Sequence, residues 1–100
     1  MNDQDLIKHV AEILDLAYID LYCGRFFISS YVTINPLANT NEAKAFCWDL
    51  MLKNDFRVFD LWNENDGTPH YEVYNDKISV VDKNPQRAVL LAFVELNKDK

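Results

Sequence analysis

The chain has 100 residues, 49% hydrophobic, with a formal charge of −6 and 13 aromatic side chains. That length is one domain with enough apolar residues for one core, which excludes a disordered chain. The acidity argues against a nucleic-acid binder working through a basic face, and against binding an anionic membrane. Two cysteines, Cys23 and Cys47, form no C-x-x-C pair. They read as reduced, buried thiols rather than a disulfide framework. The first residues lack the basic and apolar regions of a signal peptide, and no apolar run approaches the roughly 20 residues of a membrane span. The expected location is therefore the cytoplasm.

In chain order, the pattern predicts an amphipathic helix over 3–21. Leu6, Ile7, Val10, Ile13, Leu14, Ala17, Tyr18 and Leu21 recur at helical spacing. Asn2 or Asp3 is its cap and Gly24 its stop. Residues 25–34 are rich in β-formers. They suit either an edge strand, with Phe26, Ile28, Val32 and Ile34 on one face, or an extended arm over the core. Asn35-Pro36 breaks regular structure. A second helix over 40–54 follows, capped by Asn39 or Thr40, with Ala43, Phe46, Cys47, Leu50 and Met51 turned inward. Trp48 and Leu52 fall off that stripe, and either widen the buried face or mark a contact.

Residues 56–81 read as a three-stranded antiparallel meander. Its first strand has Phe56 and Val58 on one face and Phe59 and Leu61 on the other. Apolar residues on both faces predict a sheet covered, at least partly, on both sides. Asp66-Gly67 and Asn75-Asp76 are the turn signals, the latter as a two-residue hairpin. Asn84-Pro85 opens a last helix over 85–96 that is apolar nearly all round. The expected fold is α+β. It is an α/β/α sandwich with a three- to four-stranded antiparallel sheet and helices on both sides.

Asn35-Pro36-Leu37 leads into a helix with Ala43 and Trp48, and an aromatic strand ends at Trp62. A second strand spans Tyr71 to Tyr74, and the closing helix begins Asn84-Pro85-Gln86-Arg87-Ala88. With these features the chain resembles the phage ABA sandwich domain family over roughly Met1 to Leu96. The resemblance implies the sandwich fold and a phage or prophage origin. It implies no activity and carries no functional residues.

His70 and Glu72 on one strand, with Asp60 opposite, have metal-ligating chemistry but not the spacing of a zinc or calcium motif. Solvated strand polars account for them, and no metal or cofactor is expected. Ser29 and Ser30 lack a nucleophile elbow, and Gly24 and Gly67 cannot cradle a phosphate. No catalytic residues emerge, and the chain is read as a non-enzyme.

Two features point to partner binding. Tyr22, Phe27 and Tyr31 crowd a short segment, and aromatics left over from a core become interface anchors. Asp60, Glu64 and Asp66 gather carboxylates near one end of the meander. Small acidic phage proteins can occupy the nucleic-acid site of a host enzyme. The leading expectation is thus a non-enzymatic phage accessory protein that binds a host or phage protein. An anti-CRISPR-like inhibitor of a nucleic-acid-binding defence complex is one such case. The alternatives are a structural or homo-oligomeric accessory domain, including a homodimer, and then a small enzyme.

Overall fold

The computed structural model describes residues 1–19, 25–29, 32–62 and 67–98. The element order is α1 (Asp3–Ile13), β1 (Tyr18–Ile19), β2 (Arg25–Ser29), β3 (Val32–Ile34), α2 (Asn41–Lys53), β4 (Arg57–Trp62), β5 (Pro69–Tyr74), β6 (Ser79–Asp82) and α3 (Pro85–Leu96). The fold is α+β. Its meander β4-β5-β6 is a three-stranded antiparallel sheet with helices on both sides of it in the chain, α2 before and α3 after.

The first helix is shorter than its apolar periodicity predicts. It begins at the expected cap, where the Asn2 Oδ1 accepts the Asp5 N–H at 2.8 Å. It ends at Ile13 because Asp15 turns left-handed, with φ 56°. The Leu16 N–H then reaches back to the Ala11 carbonyl at 2.8 Å, and the Asp15 N–H to the Glu12 carbonyl at 3.2 Å. This double closure is a Schellman motif, usually built on glycine. The same device ends α2. Asp55 has φ 55°, and the Phe56 N–H donates to the Met51 carbonyl at 2.9 Å. Residues 14–18, counted as a helical stripe in the sequence, instead leave the helix and enter β1. Leu21 and the predicted stop Gly24 lie outside the described residues.

The segment 25–34 is neither a single strand nor an arm. It forms two strands, β2 and β3, in a sheet ordered β1-β2-β3 that is separate from the meander. Phe26 pairs with Ile34 and with Tyr18, and the register shifts between Phe27 and Ser29.

The meander pairs as expected. Val58, Val73 and Val80 align across it on one face, and Phe59, Glu72 and Val81 on the other. The Asn75-Asp76 turn is longer than two residues, since Tyr74 pairs with Ser79. Asn75 organises it. Its Oδ1 accepts the N–H groups of Lys77 and Ile78, and its Nδ2 donates to the Asn54 carbonyl at 3.1 Å. One side chain thereby joins the hairpin to the end of α2.

The last helix begins and ends where the sequence predicts. The Asn84 Oδ1 accepts the Arg87 N–H at 3.1 Å, and Pro85 occupies the first turn. The helix packs against β5 and β6 on one side and against α1 and α2 on the other. That placement explains its all-round apolarity: Ala88, Val89, Leu90, Ala92 and Phe93 are all buried. Around them gather Leu6 and Val10 of α1, Cys47 and Leu50 of α2, and Val73 of β5.

Two polar links tie the start of α3 to distant chain. The Gln86 Nε2 donates to the carbonyls of Pro36 and Ala38, each at 2.9 Å. The Cys47 thiol also points at the Pro36 carbonyl, at 3.6 Å. The Arg87 guanidinium bonds Asp3 at 2.9 Å, Asp82 at 2.8 Å and the Met1 carbonyl. It holds the beginning of α1 to the end of β6. Its pKa is raised, first by the Asp3 hydrogen bond and also by Asp82, against the opposing effect of burial.

Candidate functional site

The residues singled out in the sequence do not assemble into one described site. Asp60 stands exposed on β4, in the meander. Phe27 is on β2, in the other sheet, opposite Thr33. Tyr22, Tyr31, Glu64 and Asp66 lie outside the described residues, as does Cys23. The metal-like trio is divided by register. Asp60 pairs with Tyr71, whereas His70 and Glu72 sit on the opposite face of β5. Glu72 instead accepts a hydrogen bond from the Ser79 hydroxyl at 2.6 Å. Among the described residues, no group of three or more His, Cys, Asp or Glu side chains is placed to hold a metal ion.

Cys47 is not a nucleophile in this setting. Burial pushes its thiol up from 9.0 to about 12, so it stays protonated near neutral pH.

A cleft that sequence reasoning only half anticipated lies between α2, β4 and the start of α3. It has a volume of about 220 Å³ and is lined chiefly by Trp48, Met51, Val58, Pro85 and Val89, with Lys44 at its polar margin. The lining follows from local structure. On α2, Lys44, Trp48 and Met51 recur at helical spacing on a flank that α3 does not cover. The Schellman turn at Asp55 folds β4 back along that flank, which brings Val58 opposite Trp48 and Met51.

α2 and β4 expose side chains that a core would normally bury, Trp48 and Val58 in the cleft and Leu52 and Phe59 outside its lining. Trp48 is 60% exposed, and Leu52, one turn further along α2, is 66% exposed. On β4, Val58 and Phe59 are exposed as well. The meander's second face, predicted to be covered, therefore presents Phe59 and Val81 to solvent. Scattered apolar residues on a surface are ordinary, but a tryptophan beside an apolar cleft is the composition of an interface core. The signal was present in the sequence as the two α2 residues off the inward stripe. Their exposure could be decided only once the position of α3 was known.

No helix among the described residues is long and apolar enough to cross a membrane. No protein-family model, no curated protein and no solved structure matches the chain.

Proposed function

We propose that this chain is a non-enzymatic protein-binding domain whose docking surface is the cleft between α2 and β4, anchored by Trp48. The observation that carries this reading is the exposure of Trp48 in the lining of a preformed apolar cleft, with Leu52 exposed one turn further along α2. Tryptophan is prominent among the residues that dominate binding energy, because it fills a pocket with a large, rigid, apolar surface. The cleft's small polar margin suits a protein side chain better than a polar metabolite. The resemblance to phage sandwich domains supports a phage or prophage accessory role in the host cytoplasm. A host defence complex is one class of target, reached through Asp60 if acidic mimicry contributes.

The test is site-specific photo-crosslinking in a lysate of the cell that carries the protein. A crosslinking residue at Leu52 should yield an adduct with a protein other than itself, and the same probe at Glu12 on the exposed side of α1 should not. The yield should fall when Trp48→Arg is added. Equal adducts from both positions, or none from Leu52, would refute the reading.

A further inference from the structure

The strand that walls the cleft is also an open sheet edge. Among the described residues, β4 pairs only with β5, while Arg57, Val58, Phe59 and Asp60 are all exposed. The sheet's other edge, β6, is four residues long, is packed by α3 and runs into Asp82-Lys83. Proteins protect edges in such ways, with short strands, charges and covering helices. The β4 edge has fewer of these protections. It is six residues long, pairs without a register shift, carries no Pro or Lys, and has one charge of each sign, Arg57 and Asp60, along its described side chains.

The phase of the ladder decides which backbone groups the edge offers. The Asn75 N–H donates to the Ile78 carbonyl at 3.0 Å. Alternation from there directs Val73 and Tyr71 toward β6, and Tyr74, Glu72 and His70 toward β4. Their partners Arg57, Phe59 and Leu61 commit their backbone groups to β5. Val58, Asp60 and Trp62 are left with N–H and C=O directed away from the sheet.

We propose that this edge pairs antiparallel with β4 of a second copy of the chain, in a register centred on Phe59, to form a continuous six-stranded sheet. A twofold axis normal to the sheet sets like faces opposite each other, which leaves few registers. Centring on Asp60 would set two carboxylates against one another. Centring on Val58 would oppose Asp60 to Phe56, whose N–H is already bonded to Met51. Centring on Phe59 pairs Val58 with Asp60 of the other copy twice over, which matches the outward donor and acceptor of both residues at the middle of the edge and leaves the outward backbone of Trp62 at its two ends. It also sets Phe59 beside its counterpart, which covers a ring that is 55% exposed in the single chain. The opposite charges of Arg57 and Asp60 make the edge locally neutral, so the chain opposes pairing only through its overall charge of −6. Salt screens that repulsion, and the pairing strengthens as ionic strength rises. The inference goes beyond the cleft reading and does not depend on it.

The experiment is sedimentation equilibrium from about 1 μM to about 1 mM protein, with amide hydrogen exchange at both ends of that range. The mass should rise from the 11.7 kDa monomer toward twice that value, more readily at high salt. The amides of Val58 and Asp60 should gain at least about tenfold protection with concentration, while those of Arg57 and Phe59 stay protected throughout. Val58→Pro removes an outward N–H at an edge position and should raise the dimer Kd at least about tenfold. Phe59→Lys keeps every backbone donor, opposes two charges at the twofold axis and should do the same, so the test stands if the proline variant fails to fold. A monomer at every concentration refutes the pairing. So does a dimer that leaves the Val58 and Asp60 amides unprotected, or protection that appears only when a foreign peptide is added. A monomer that still crosslinks another protein through Leu52 refutes this pairing and leaves the cleft reading standing.

Discussion

Replacing Asp15 by Gly should stabilise the protein, although it deletes a side chain and adds nothing. Asp15 holds φ 56° so that the Leu16 and Asp15 N–H groups can close on the carbonyls of Ala11 and Glu12. An L-residue in that region is strained by about 1–2 kcal/mol, with Asp toward the lower end because its short polar chain tolerates the conformation. Glycine removes the strain but loses about 0.5–1 kcal/mol to the greater freedom of its unfolded chain. The negative charge adds a second effect. It sits at the carbonyl end of α1, where the helix dipole disfavours an anion by about 0.3–1 kcal/mol. The net expectation is a gain of about 0.5–1.5 kcal/mol, or a rise in Tm of several degrees at roughly 4–8 °C per kcal/mol. Thermal unfolding of Asp15→Gly, Asp15→Asn and Asp15→Ala separates the two effects. Asparagine removes the charge and keeps left-handed tolerance, so it should recover only the dipole part. Alanine removes the charge but not the strain, and should fall below asparagine. A Tm for Asp15→Gly below that of the parent, or an alanine variant as stable as the glycine one, would refute the reasoning.

Two further outcomes follow from the core. Leu90 is fully buried at the centre of α3, so Leu90→Ala should cost about 2–5 kcal/mol in urea unfolding, with an unchanged m-value; a loss under about 1 kcal/mol would mean that the site collapses around the void. The Cys47 thiol is raised from 9.0 to about 12, so between those values the folded chain retains a proton that the unfolded chain releases. Its contribution is complete below about pH 9 and is lost as pH climbs toward 12. Stability measured across that window should decline more steeply in the parent than in Cys47→Ala, and parallel curves would remove Cys47 as a cause.

How far the sequence could be read depended on whether a residue's role was set locally. Asn84-Pro85 and the α3 boundary were legible because cap and first-turn proline act within one turn of helix. The meander was legible for a similar reason, since alternation and turn residues state its register. The end of α1 was not, because Leu14, Ala17 and Tyr18 keep a helical apolar spacing through a turn made by an aspartate, where glycine is the usual signal. The same substitution at Asp55 was harmless to the reading, because the next residues open a strand with strong β-formers of its own.

The candidate site was the least legible part, for a physical reason that is not local. Trp48 and Leu52 are apolar like their buried neighbours, and only the line along which α3 crosses α2 decides which of them stay exposed. That line is fixed from both ends of the contact. Gln86 grips the carbonyls of Pro36 and Ala38, and Cys47 sits under the same Pro36 carbonyl. Arg87, the next residue, holds Asp3 and Asp82. Two segments distant in sequence, 1–3 and 36–38, thus converge with the end of β6 on one turn of α3 and fix its position, and the outer flank of α2 is left uncovered. The Asn35-Pro36 and Asn84-Pro85-Gln86-Arg87 runs stand out in the sequence as separate breaks and caps, yet in the fold they are the two halves of one junction. The apolar cleft beside Trp48 is what that junction leaves open.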